Sequence, residues 1–524
     1  MANNIFTKVA FSQPESSQFD MKHHRTMSLD MGYLVPSAMQ EVYPGDNWRI
    51  NSSIFLRFAP LVSPVMHTIE VDIHHFFVPT RLAFPEFPKF ITGESGVEHP
   101  WLKRLDSISN GDLGDYIGYP TADPVLPDVR ANPIPLSSYL LIYDEWYRDQ
   151  NLASTFFTPL TGGEVDVATQ NTLNSKPLPR SWEHDYFTSC LPFPSKGEDV
   201  KIPVFNTDDG DGVVELSDDF PLSRLTAVNR TTGSVTGGDL GATSGGNATL
   251  HAGATTNEIA INPNGSLILD NDTLSTIRDL RRAFKLQEYY ERQARGGTRY
   301  IESNLSHWGV KSSDARLQRP ELIGGSRQNV VISEVLATAQ TVDQSSNDIP
   351  VGDLAGHGIS LGGGQSYRYY AEEHGHIISI VSVRPKTAYQ QGLHPSLSRA
   401  DQFDYAWPSL AHVGEQEVLM KEIYLGAGLS AGDEEEVFGY IPRYAELRFA
   451  NNTTHGDFKG DLSFWTLTRQ FTAPPVLNQE FLDSTKADKR IFAVTDPDTH
   501  SLYAHVINDW SVNRKLPKYT NPSI

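Results

Sequence analysis

Gly358-Ile359-Ser360-Leu361-Gly362 reads G-x-S-x-G, the pattern in which a serine is lifted on a tight strand-to-helix turn and activated by a neighbouring base. The flanks argue against a serine hydrolase centred on Ser360. Ala355-Gly356-His357 precedes it and a glycine run follows, and glycine resists the helix that such a turn must lead into. Glu372, His374 and His376 alternate along AEEHGHIIS, so in a strand they share one face at a spacing a divalent metal accepts. A site also needs a further ligand and supporting hydrogen bonds, and the neighbouring sequence offers neither, so the three read as polar residues on the solvated side of an edge strand. NTDDGDG (206–212) has the composition of a calcium loop without the EF-hand order of ligands, and reads as a polar turn. With no Walker-type loop, Cys/His cluster or well-spaced carboxylate pair, the sequence predicts no catalytic residue, no cofactor and no metal. A binding or structural protein is expected, with the hydrolase as the alternative.

Charge carries more information. The chain has a formal net charge of −21, which argues against a surface that coats nucleic acid all over. Between Arg278 and Arg327, however, eleven Lys/Arg face six Asp/Glu, a local +5. This window holds YYERQARGGTRY (289–300), where Arg292, Arg295 and Arg299 sit among Tyr289, Tyr290 and Tyr300. Arginines at a helix C-terminus complement its dipole, so these are expected to fix packing or a neighbouring subunit, with phosphate binding second. The tail SVNRKLPKYTNPSI (511–524) adds Arg514, Lys515 and Lys518 without an acidic side chain. Here phosphate is the favoured partner, with Trp510 and Tyr519 placed to stack on unpaired bases. Salt bridges to an adjacent subunit are the rival account.

These groups must be held by a turn-rich scaffold. Hydrophobic residues are 39%, charged residues 20%, and there are 33 prolines and 40 glycines, a composition that favours a globular, mainly β protein. The single Cys190 excludes an internal disulfide and reads as a small buried hydrophobe, as in a reducing cytoplasm. No apolar run has the length of a signal core or bilayer span, so neither secretion nor membrane insertion is expected. In MHTIEVDIHHFFVP (66–79), Ile69, Val71, Ile73 and Phe77 share one face and Thr68, Glu70, Asp72 and His74 the other, the pattern of a half-buried strand. Further strands are expected at 377–383, 417–425 and 462–471. Helices are expected at 137–151, capped by Ser137 or Ser138, and at about 275–295. The second is capped by Ser275, has Ile277, Leu280 and Phe284 on one face, and is stopped by Gly296 and Gly297. Residues 226–270, rich in Gly, Thr, Ser and Asn, read as a surface insertion with faint β character at 258–261.

Several long phrases taken together resemble the major capsid protein of the Microviridae, small single-stranded DNA bacteriophages, in its gokushovirus-like branch. They are MSLDMGYLVPSAMQEVYPGD (27–46), IFLRFAPLVSPVMHTIEVDIHHFFVPTRL (54–82), YLLIYDEWYRDQNL (139–152), HDYFTSCLPFPSKG (184–197), YYERQARGGTRYIE (289–302), LQRPELIGGS (317–326) and RPKTAYQQGL (384–393). The resemblance implies an antiparallel eight-stranded jelly-roll β-sandwich with long helix- and loop-containing insertions. It implies assembly in the host bacterial cytoplasm into a T=1 icosahedral virion shell around circular single-stranded DNA. Partners would be further copies of the chain, the packaged DNA, minor virion proteins and a host surface receptor met by the variable insertion. On this reading 1–199 holds the N-terminal arm, first strands and a helical insertion, 200–275 the surface insertion, and 276–524 the remaining strands and basic tail of one elaborated domain. The aromatic loop FPEFPKF (84–90) is expected to supply subunit contacts.

Overall fold

The computed structural model describes residues 15–103, 108–121, 130–173, 175–197, 225–229, 259–263, 277–297, 299–336, 354–362, 364–487 and 489–519. The chain divides into two compact units, residues 1–196 with 291–524, and residues 197–290. In the first unit, β1 (Ser17–Asp20), β2 (His23–Leu29), β3 (Val35–Val42), β4 (Asn47–Phe58) and β5 (Ile69–Pro79) lead into short helices α1 (Thr80–Ala83), α2 (Phe87–Ile91), α3 (Leu113–Ile117), α4 (Ile134–Ile142) and α5 (Val167–Leu173). The two-residue strands β6 (Pro100–Trp101) and β7 (Gly163–Glu164) pair among these helices. In the second unit β8 (Leu225–Asn229) and β9 (Ile259–Pro263) pair antiparallel, which places a strand at the faint β character read near 258–261. Helices α6 (Ile277–Gly296) and α7 (Tyr300–Trp308) follow, then β10 (Glu321–Asn329), β11 (Val331–Leu336), β12 (Leu354–Gly362), β13 (Ser366–Tyr370), β14 (Gly375–Pro385), β15 (Glu415–Leu419), β16 (Val437–Pro442), β17 (Leu502–Asn508) and β18 (Ser511–Arg514).

The protein is mainly β with antiparallel sheets. β4 organises the larger sheet because its twelve residues alternate without a break: Trp48, Ile50, Ser52, Ile54, Leu56 and Phe58 are buried, and Asn47, Arg49 and Arg57 are exposed. Along one side of β4 run β17 and β18, and along the other β12 and β13. β1 and β2 pair outside β18 and β17, and β11 pairs outside β12. The smaller sheet has the order β10-β5-β14-β3. The inner faces of the two sheets meet in shared apolar clusters. Leu29, Ile54, Leu56 and Val506 of the larger sheet join Val71, Ile73, Val381 and Val383 of the smaller. Further along, Trp48, Ile50, Trp510 and Val512 join Ala38, Val42, Phe77 and Ile377.

The smaller sheet is covered on its other face as well. Phe76, Val78, Ile378 and Ile380 pack under Ile134, Tyr139, Tyr143 and neighbours from the helical insertion. This corrects the reading of 66–79 as half-buried: the two faces alternate as expected, yet the polar row is enclosed too. Glu70 and Asp72 lie in a ring of cations. Arg180 Nη1 is 2.6 Å and Arg327 Nε 2.7 Å from Asp72, and Arg384 approaches it at 3.9 Å. Arg327 and Lys386 reach Glu70 at 3.1 and 3.0 Å, and both also pair with Glu183. Register explains the choice of residues, since Arg327 of β10 and Ser382 of β14 stand directly opposite Asp72, and Arg384 opposite Glu70.

Three other expectations need correction. Residues 462–471 form a short 3-10 turn at Ser463–Trp465 and irregular chain in place of a strand. The Arg490 guanidinium donates to the carbonyls of Ser463, Thr466 and Thr468, supplying the partners a neighbouring strand would have offered. Residues 417–425 start in β15 but turn helical at Met420–Ile423. The helix expected at 137–151 begins at Ile134, where Asn132 Oδ1 accepts the Ile134 amide, and continues as a π-helix over Tyr143–Tyr147. Ser137 and Ser138 are buried within it, not caps. In FPEFPKF, Phe84 is buried and Phe87 and Phe90 pack against the helical cluster, while Pro85, Glu86, Pro88 and Lys89 are exposed. α6 does end at Gly296, with Gly297 at φ +94°, whereas Ser275 lies outside the described residues and Phe284 is exposed. Cys190 is buried among Tyr186, Phe187 and Phe438. Among the described residues no helix is long and apolar enough to cross a membrane.

Two measurements test this core. Burial by itself raises the Asp72 carboxyl, but Arg180, Arg327 and Arg384 outweigh it and hold it below the ordinary carboxylate value. Asp72→Ala therefore strands buried guanidinium groups, and urea unfolding of the subunit should show a loss of about 3–5 kcal/mol. Burial also pushes His74 and His376 down to about 4 and His75 to about 3, so the folded subunit keeps all three neutral. An unfolded histidine titrates near 6.5, so from about pH 6.5 down to about 4 the unfolded chain binds protons that the folded one refuses, and stability falls as pH falls. His376→Leu should flatten that slope because it removes one of the three groups, and His376 Nδ1 has no hydrogen-bond partner to lose.

Candidate functional site

Ser360 is 1% exposed and sits in the middle of β12, in place of a strand-to-helix turn. Its hydroxyl donates to the Asn329 carbonyl at 2.9 Å and accepts from Gln328 Nε2 at 2.9 Å, so it pins β12 of the larger sheet to the end of β10 in the smaller one. A serine held this way has no free approach for a substrate. Glu372, His374 and His376 do not share a strand face. Glu372 and His374 lie in the bend before β14, and His376 is buried inside β14, a central strand between β3 and β5 and not an edge. His374 packs its ring against Tyr43 and Phe87, while Arg81 pairs with the neighbouring Glu373 at 2.5 Å. Among the described residues no three His, Cys, Asp or Glu side chains converge as metal ligands. Residues 206–212 lie outside the described residues.

The arginine and tyrosine island at 289–300 splits by position. Arg295, in the last turn of α6, pairs with Glu415 at the start of β15 and donates to the Ser189 carbonyl at 3.3 Å. Arg299 turns back to the end of the π-helix, where it donates to the carbonyls of Asp144 (2.5 Å) and Arg148 (3.1 Å). Arg319 treats the same terminus alike, donating to Glu145 O at 3.1 Å with its guanidinium 4.4 Å from the Trp146 ring. The carbonyls left open at that helix end are thus filled by arginine side chains. Arg292, Tyr289 and Tyr300 are exposed, and Tyr289 stands edge-on to Tyr290.

The tail divides more sharply, and two of its five candidate DNA-binding residues are corrected. Arg514 lies at the end of β18 with Nε 3.0 Å and Nη2 2.6 Å from the fully buried Asp46 carboxylate, and its guanidinium covers Tyr43 and Trp48 at 4.9 and 5.7 Å. Trp510 is 0% exposed. Its Nε1 donates to Ser52 Oγ at 3.0 Å, and its ring meets Trp48, His23 and His75 edge to face, so it has no face for a base. The sequence marks neither pairing, because Asp46 and Arg514 are 468 positions apart and meet only when β18 pairs with β4. Lys515, Lys518 and Tyr519 remain exposed.

Reading the sequence missed another exposed surface. Between β14 and β15 the chain makes 3-10 turns that leave Leu397 (74% exposed), Val413 (65%), Phe403 (56%), Tyr405 and Trp407 in solvent. No periodicity signals this loop, since its apolar residues follow neither a strand nor a helix repeat.

A family model described as capsid protein (F protein) matches residues 7–524. The chain is 32% identical to capsid protein VP1 of Bdellovibrio phage phiMH2K over 99% of this chain and 97% of that protein. It is 30% identical to capsid protein VP1 of Chlamydia phage 1, covering 99% of this chain and 98% of that one. Capsid protein VP1 of Spiroplasma virus 4 is also 30% identical, over 97% of this chain and 95% of that one.

The split within the tail is measurable in the isolated subunit. Arg514→Gln leaves Asp46 buried without its cation, and its urea midpoint should fall by the equivalent of about 3–5 kcal/mol. Lys515→Gln with Lys518→Gln should stay within about 0.5 kcal/mol of the parent.

Proposed function

The chain belongs to the capsid protein (F protein) family of the Microviridae and is a major capsid protein, not an enzyme, and on that premise we propose that its copies close into a T=1 icosahedral shell around circular single-stranded DNA. Self-assembly into a capsid follows from the family. The exposed apolar loop at 397–413 supports non-covalent contacts between copies, because monomeric proteins rarely leave so many large apolar side chains together in water. Such contacts are heterologous and close a shell when their rotation closes. The subunit fold on this reading is an eight-stranded jelly roll. Its support is that sequence-distant strands pair in both sheets, as when residues 47–58 bind strands from 354–370 and 502–514.

The acidic chain and the exposed Lys515, Lys518 and Tyr519 support a local contact with DNA over a general one. The Gly/Thr/Ser/Asn-rich stretch within 200–275 is the candidate for host-receptor attachment, and the buried lone cysteine is consistent with assembly in the reducing host cytoplasm. Minor virion proteins are further candidate partners.

Electron microscopy and sedimentation of the purified product test assembly. The parent chain should give uniform spherical particles that survive reductant. Leu397→Asp with Val413→Asp should abolish particles while leaving a folded subunit with unchanged circular dichroism; normal particles from that variant would remove the loop from the interface.

A further inference from the structure

Taking the enclosure of single-stranded DNA as given, we propose that the outer face of the larger sheet is the surface that receives the DNA backbone, with one phosphate seated between Arg49 and Arg368. The alternation that buries Trp48 to Phe58 of β4 turns Asn47, Arg49, Asn51, Ser53, Phe55 and Arg57 outward. Directly opposite residues on antiparallel strands share a face, so the registers extend this surface to its neighbours. Tyr503, His505 and Ile507 of β17 lie opposite Arg57, Phe55 and Ser53, and Ser366, Arg368 and Tyr370 of β13 lie opposite Asn51, Arg49 and Asn47. Ser511 and Asn513 of β18 complete it on the other side of Arg49 and Asn47.

In a chain of net charge −21 this face has no Asp or Glu at any outward position of β4, β12, β13, β17 or β18. The acids at its rim, Asp20 and Asp509, are held by Lys22, whose Nζ is 3.1 Å from Asp509 and whose amide donates to Asp20. Two cations face each other near one end of it, where β13 and β18 flank the start of β4. Arg49 and Arg368 are register partners on adjacent strands, an arrangement that costs stability unless an anion lies between them. Arg49 Nε bonds only the neutral Ser366 hydroxyl, at 3.2 Å, and among the described residues no carboxylate pairs with Arg49, Arg57 or Arg368. Over the pair lies a cleft of about 260 Å³ lined also by Gln18, Asn47, Ser511 and Asn513, neutral groups able to hydrogen-bond phosphate and sugar oxygens. Exposed Tyr370, two residues along β13 from Arg368, offers a flat ring for an unpaired base beside the cleft, and exposed Tyr503 offers another at the far end of β4, opposite Arg57. Two guanidinium groups without a protein anion, a polar cleft and exposed tyrosines along the same face match a single strand, not an acidic protein surface, which would have no use for the exposed rings as base platforms.

The test compares three full-length variants: Arg49→Gln with Arg368→Gln, Arg49→Lys with Arg368→Lys, and Lys515→Gln with Lys518→Gln. For each, particle yield and DNA per particle are measured, and dissociated subunits are titrated with a fluorescent oligothymidylate across a salt series. The glutamine pair on the sheet should form normal particles with less DNA, bind the oligonucleotide about tenfold more weakly, and lose about 0.7 from the salt slope for each phosphate contact removed. The lysine pair should restore the slope. Parent affinity and slope in the sheet glutamine variant, with loss only in the Lys515/Lys518 variant, would overturn this inference and leave genome enclosure intact. Failed assembly with unchanged oligonucleotide binding would also overturn it, by assigning the face to a neighbouring subunit. Parent particles without DNA would instead defeat the enclosure reading itself.

Discussion

The buried ion cluster on the central strand β5 is the constraint around which the subunit is arranged. Asp72 and Glu70 lie on a face that the helical insertion encloses, and buried carboxylates persist only when cations reach them. The four cations come from three separate places: Arg180 from the loop after α5, Arg327 from β10, and Arg384 and Lys386 from the end of β14. Each ties a distant stretch of chain to the same point. The smaller sheet, the loop at 180–184 and the end of β14 must therefore come together in one register, because a shift of one residue would leave charges buried without partners.

The two sheets divide the remaining work. The smaller is covered on both faces and acts as the frame. The larger has one apolar face turned to that frame and one mixed face turned out, where arginines and polar residues share space with Phe55, Leu361 and Ile507, and β4 carries both faces in strict alternation. Several arginines of this acidic chain are consumed inside it. Arg299 and Arg319 close the end of the π-helix, Arg490 takes the place of a missing strand, and Arg514 neutralises Asp46. The outward pair on β4 and β13 differs from these in standing opposite each other on adjacent strands with no carboxylate paired to either among the described residues.

Family and function class were legible in long ordered phrases such as those at 54–82 and 384–393, and the match over 7–524 agrees with them. The local alternation of 66–79 correctly sorted Ile69, Val71 and Ile73 from Glu70, Asp72 and His74, because a strand's two-residue repeat is a property of the chain alone. The glycines at 296 and 297 marked the end of α6 for an equally local reason, the left-handed conformation there.

What the sequence could not decide was which faces would be covered and which charges would meet. Glu70 and Asp72 read as solvated until the insertion closed over them. Ser360 matched a five-residue motif, but a strand on each side and hydrogen bonds to residues 328 and 329 fix its role. Arg514 and Trp510 looked like part of a free basic tail because their partners, Asp46, Ser52 and Trp48, lie more than 450 positions earlier. By itself the sequence determined local periodicity, turn points, overall charge and kinship, since each is written in neighbouring residues. Only the tertiary structure decided burial and ion pairing, because both depend on contacts between segments whose separation along the chain carries no trace of their meeting in space.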